Sequence, residues 1–78
     1  MNFLFSSTIQ LDGGGKCIYK IFQFKLFPTR YKAELIDGNC APEIVLWREN
    51  DGWKTFRQTR EVKLLAAMLG QEINRAKN

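Results

Sequence analysis

Polar and apolar residues alternate through residues 3–11, with Phe3, Phe5, Ile9 and Leu11 on one side and Ser6, Thr8 and Gln10 on the other. A two-residue period is that of a half-buried strand, to which Leu4 and Ser7 are exceptions. Asp12-Gly13-Gly14-Gly15 supplies the positive-φ positions of a hairpin turn, so the next strand returns antiparallel. In residues 16–27, Ile18, Phe22, Phe24 and Leu26 share one face, while Cys17, Tyr19 and Ile21 make the other apolar too. That predicts a central strand whose second face is either covered or left as an exposed patch. Pro28 and Thr29 break the pattern, and residues 30–37 resume it with Tyr31, Ala33 and Leu35 against Arg30, Lys32 and Glu34. Asp37-Gly38-Asn39 is turn chemistry and Pro42 marks a restart. Residues 43–49 are dense in strand formers (Ile44, Val45, Leu46, Trp47). Asp51-Gly52 is a type I′ turn signal, so residues 53–56 are either a short return strand or the approach to a helix.

The period changes to that of a helix near residue 59. At about 100° per residue, Val62, Leu65, Ala66, Leu69, Ile73 and Ala76 form one stripe, with Arg60, Lys63, Ala67, Gln71, Asn74 and Arg75 opposite. Two caps compete for its start. Thr55 with Gln58 fits a capping box, and Thr59 starts the helix one turn later and is preferred here. Gly70 inside the helix predicts close approach to the sheet, since glycine there costs about 1 kcal/mol relative to alanine. The expected fold is α+β, a single domain over residues 1–78. It is a four-stranded antiparallel meander, with a short extra strand at 53–56 as the variant, and one C-terminal helix packed on one face.

Composition fits an ordered domain with a small core. Of the 78 residues, 45% are hydrophobic and 13% aromatic, and a chain this short buries only roughly 60–65% of its unfolded surface. The net charge of +4 is lopsided. Up to Trp53, basic Lys16, Lys20, Lys25, Arg30, Lys32 and Arg48 balance acidic Asp12, Glu34, Asp37, Glu43, Glu49 and Asp51. The excess comes from Lys54, Arg57, Arg60, Lys63, Arg75 and Lys77 against Glu61 and Glu72. Residues 1–10 have neither a basic leader nor a long apolar run, so the expected location is cytoplasmic, with no membrane span and Cys17 and Cys40 as reduced thiols.

Candidate chemistry is sparse. Asp12-Gly13-Gly14-Gly15-Lys16 superficially resembles a phosphate loop, but it leads into a strand and Cys17 stands where a hydroxyl is needed, so it reads as a hairpin turn. There is no histidine to activate a thiol or hydroxyl, and the carboxylates sit at turns or among basic neighbours, so no enzyme, metal or cofactor is expected. Trp47 and Trp53 flank the Asp51-Gly52 turn and read as seals over the end of the core. Lys54, Arg57, Arg60 and Lys63 recur every third residue at the helix entry, where amides and cations together favour an anion. Leu64 and Met68 on the helix's outer side and flank, with Cys17, Tyr19 and Ile21, are the candidate self-association residues.

Four strands, an Asp51-Gly52-Trp53 turn and a helix ending Leu69-Gly70-Gln71-Glu72-Ile73 resemble small uncharacterised bacterial proteins of ββββα order. The element order is also similar to the Pur-alpha repeat and Whirly folds, whose sheets bind single-stranded nucleic acid and which assemble as oligomers. That likeness is one of topology, and topology alone carries no function. The reading from sequence is a small non-enzymatic association module, homodimeric through the sheet's open face or a strand edge. The alternative is a single-strand nucleic-acid binder using Lys20, Lys25, Arg30 and Lys32 with the Lys54, Arg57, Arg60 and Lys63 ladder.

Overall fold

The computed structural model describes residues 1–24 and 27–77. Five strands, β1 (Asn2–Gln10), β2 (Lys16–Phe24), β3 (Arg30–Asp37), β4 (Glu43–Glu49) and β5 (Gly52–Thr55), precede one helix, α1 (Arg60–Lys77). They form one antiparallel sheet in sequence order, so each strand lies beside its chain neighbours. The short return strand after Asp51-Gly52 is therefore a fifth member of the meander. Gly13 and Gly14, at φ near 90°, turn the first hairpin, and Gly52, at φ 133°, turns the last.

The helix starts at the later of the two caps. The Thr59 hydroxyl accepts the Val62 amide at 3.2 Å, and the Thr59 carbonyl accepts the Lys63 amide at 3.0 Å. Thr55 closes the approach instead: its hydroxyl donates to the Arg57 carbonyl and its carbonyl accepts the Gln58 amide group. Val62, Leu65, Ala66, Leu69 and Ile73 of the predicted stripe are buried, while Ala76 at the end is exposed. Under them lie Ile9, Cys17, Tyr19, Ile21, Tyr31, Ala33, Ile44 and Leu46. Ser7 interrupts the apolar face of β1 because its hydroxyl donates to the Glu72 carboxylate of the helix.

This core corrects the face assignment in β2. Cys17, Tyr19 and Ile21 are fully buried beneath the helix, so they are not an open patch and offer nothing to a partner. Ile18, Phe22 and Phe24 take the uncovered side. A bulge in β1 between Phe3 and Phe5 adds a second change of side. It sets Phe5 opposite Ile21 on the core face and leaves Phe3 opposite Phe22 on the other, since one extra residue shifts every later side chain across the sheet.

The two cysteines are also not free thiols. Cys17 and Cys40 form a disulfide across 23 residues, with Cα atoms 6.5 Å apart. It ties β2 to the β3–β4 connection, and the Tyr19 hydroxyl reinforces the tie by donating to the Ala41 carbonyl at 2.8 Å. Burial, with the nearby Glu61 carboxylate adding to it, pushes the Tyr19 phenol up to about 12. The unfolded chain loses this proton from about pH 10 while the folded chain keeps it. The contribution is thus intact below pH 10 and is lost as pH rises through 12. Denaturant melts should show a decline in that window that Tyr19→Phe removes; equal slopes for the two proteins would refute the assignment.

Candidate interaction face of the sheet

The helix covers one face of the sheet, and the strand register defines the other. Trp47 pairs with Lys54 on one side and Arg30 on the other, and Arg30 pairs with Phe24, giving a cross-strand row Lys54, Trp47, Arg30, Phe24. The next row is Val45, Lys32, Phe22, Phe3, and the third is Glu43, Glu34, Lys20, Ser6. Side chains opposite one another in a ladder share a face. Aromatic and cationic residues are therefore interleaved across two rows, and the carboxylates are gathered in the third.

Contacts along the face are specific. Phe3 meets Phe22 edge-on, with centroids 5.6 Å apart. Trp47 and Phe56 lie 4.8 Å apart, and the Arg30 guanidinium sits 5.3 Å from the first ring and 5.1 Å from the second. A guanidinium held against two rings is a favourable cation–π arrangement. Its Nε is shut off from solvent and makes no hydrogen bond, and Arg30 enters no ion pair among the described residues. Lys32 bridges Glu34 at 3.0 Å and Glu43 at 3.3 Å; those two hydrogen bonds hold its ammonium above the usual lysine range. Lys54 bonds Asp51 at 3.0 Å and thereby lowers the Asp51 carboxyl. The Trp47 indole N–H donates to Glu49.

Phe3 remains 55% exposed and Phe56 64%. With Phe22, Phe24, Trp47, Ile18 and Val45 they make a broad apolar surface studded with charge. Trp47 is thus on the open side, which corrects its assignment to the core. Trp53, its neighbour across the turn, packs against the core and meets Tyr31 edge-on at 5.8 Å. One sequence signal marked these faces: Lys20 alternates in phase with Ile18, Phe22 and Phe24, and a lysine at the centre of a strand marks the solvated side.

The remaining candidates scatter. Lys20, Arg30, Lys32 and Lys54 come together on the open face, and Lys25 lies outside the described residues. The basic ladder does not form one ridge. Arg57 borders a cleft with Glu43, Val45 and Phe56, whereas Lys54 and Lys63 share another with Trp53 and Gln58, and Arg60 borders neither. Leu64 is exposed on the outside of the helix, away from the open sheet face, and Met68 is partly buried against the core. The five proposed self-association residues therefore do not share a surface. On the helix side a cleft of about 420 Å³ is bounded by Tyr31, Trp53 and Ile73, with Arg48 hydrogen-bonded to Asn74 at its rim. Among the described residues no three His, Cys, Asp or Glu side chains gather as a metal site, and no helix is long and apolar enough to cross a membrane.

No protein-family profile, curated protein or solved structure matches this chain. Any functional reading rests on the face itself.

Proposed function

We propose that this protein is a non-enzymatic association module that pairs with a second copy through the open face of its sheet. The observation that carries the reading is the row structure of that face: five aromatic side chains, Phe3, Phe22, Phe24, Trp47 and Phe56, lie on the side the helix does not cover. A contiguous exposed apolar surface of this kind favours a protein partner, and aromatic residues with arginine are what protein interfaces concentrate at their centres. The strand edges support pairing less well. β1 is bulged at its start and β5 has four residues with a lysine among them, both devices that blunt an edge.

Aromatic rows interleaved with cations also suit single-stranded nucleic acid, and the near balance of charge favours the first reading. Among the described residues, Lys16, Lys20, Arg30, Lys32, Lys54 and Arg57 stand on or beside the face against Glu34, Asp37, Glu43, Glu49 and Asp51. Six against five leaves little net field for a polyanion, whose binding depends on uncompensated cations. Such a balance suits a partner that is itself balanced. The disulfide supports an oxidising compartment over the cytoplasmic location expected from sequence.

Light scattering at about 0.1 mM should return a dimer mass that persists in salt, because apolar burial is not screened. Trp47→Ser with Phe56→Ser should return a monomer with an unchanged circular dichroism spectrum. A wild-type monomer that binds a single-stranded oligonucleotide at low salt would replace this reading with the other.

A further inference from the structure

Resting on that self-pairing, the pattern of charges on the face also specifies how two copies meet. Two identical faces packed against each other are related by a two-fold axis lying in the plane between them. If that axis ran along β3, Arg30 would oppose Arg30 of the second copy and Glu34 would oppose Glu34. If it ran across the strands through Lys32, β3 would pass antiparallel over its counterpart and Arg30 would oppose Glu34. We infer that two copies pair about the cross-strand axis, setting Arg30 of each copy on Glu34 of the other.

Three features of the face support this axis. Arg30 makes no ion pair among the described residues. With Lys54 it gives the first row two positive charges, whereas the third row, Glu43, Glu34 and Lys20, carries one negative charge in excess, so this axis lays opposite signs together. The axis also sets Lys32 over Lys32 of the second copy, where each ammonium is held by Glu34 and Glu43 of its own copy. The rest of the axis row is apolar: Phe3, Phe22 and Val45 each fall over their own counterparts and surround the two Lys32 side chains. Phe24 then lies over Lys20 of the second copy, which pairs a ring with a cation.

The size of the face is adequate for a weak, specific pair. Five strands about 4.8 Å apart and roughly 24 Å long give about 600 Å² per copy. Twice that, about 1,200 Å², is the lower bound of stable specific interfaces. Association is therefore expected at micromolar or higher concentration, so the measurement is made near 0.1 mM.

Charge reversal separates this axis from the reading beneath it. Arg30→Glu alone sets carboxylate against carboxylate at both symmetric contacts, and Glu34→Arg alone sets guanidinium against guanidinium. Each variant should dissociate at least tenfold more readily than wild type by sedimentation. An equimolar mixture should recover a dimer containing one of each, because both contacts are then oppositely charged. A wild-type dimer whose reversed variants fail to recover on mixing would overturn the axis and leave self-pairing standing. A wild-type monomer would overturn both. If either reversal fails to fold, Arg30→Gln, Glu34→Gln and the double variant serve instead. The two residues are about 13 Å apart along one strand, so coupling between them of threefold or more in the dimer dissociation constant reports the contact between copies. Additive effects would overturn it.

Discussion

Removing the Cys17–Cys40 disulfide, by Cys17→Ser with Cys40→Ser or by reduction, should destabilise the monomer fold by about 3–4 kcal/mol. A cross-link spanning 23 residues removes chain entropy from the unfolded state worth about 3.4 kcal/mol at 25 °C. A domain of this length has a total stability of only about 4–12 kcal/mol, so the loss is a large fraction of the whole. Local packing adds to it, because the β3–β4 connection leans on this bond. A Cβ at Gly38 would lie 2.9 Å from the Cys17 sulfur and 2.8 Å from the Lys16 carbonyl oxygen, and Gly38 has φ 118°. The connection can therefore approach the bond this closely only as glycine. Urea melts with and without reductant measure the effect directly. A midpoint that moves by less than a quarter of its value would mean that the disulfide contributes little.

Gly70→Ala should lower stability by about 2 kcal/mol, although alanine is the better helix former. The helix gain is about 1 kcal/mol. Opposing it, the new Cβ would lie 2.3 Å from Cδ1 and Nε1 of Trp53 and 2.5 Å from Cε2. Those atoms belong to a rigid ring that also meets Tyr31 edge-on, so relief requires the indole or the helix to move by roughly 1 Å. Forced overpacking of this kind costs about 1–3 kcal/mol, and a displacement this large lies at or above the top of that range. For a domain of this size a loss of 2 kcal/mol lowers the melting temperature by roughly 8–16 °C. Gln71→Ala, one residue on and exposed, is the control and should change little. Trp53→Ala alone leaves a void, but combined with Gly70→Ala the two losses should fall short of additive, since each relieves the other. An alanine variant as stable as wild type would show that the helix slides over Trp53 without penalty.

Both effects centre on features with unequal footing in the sequence. Gly70 was legible as a close approach, because a glycine inside an otherwise strong helix pattern has few other reasons to be there; its neighbour, Trp53, was not. The pairing of Cys17 with Cys40 is not legible in the sequence, where the compartment argument favours free thiols and nothing reports distance. The two positions meet only because β2 and β3 are antiparallel neighbours with a turn at Asp37-Gly38-Asn39. For the candidate interface, Arg30 and Lys32 were named from the basic residues of the strands. Phe3, Phe22, Phe24 and Trp47 were missed as its aromatic component because each has an equally good reading as core.

What the sequence determined by itself is the local layer of this protein. The order of strands and helix, the turns at Asp12-Gly13-Gly14-Gly15 and Asp51-Gly52, the Thr59 cap and the Val62-to-Ile73 stripe all follow from interactions among residues a few positions apart. The tertiary structure decided which side of the sheet the helix covers. β2 offers apolar residues on both faces, and only Lys20, in phase with Phe22 and Phe24, distinguishes them locally. The choice falls to non-local partners: the bulge that turns Phe5 inward and Phe3 outward, the Ala41 carbonyl that receives the Tyr19 hydroxyl, and the disulfide beside it. With Cys17, Tyr19 and Ile21 committed to the core, Phe22, Phe24 and Trp47 are left on the open face, and the candidate interface follows from that commitment.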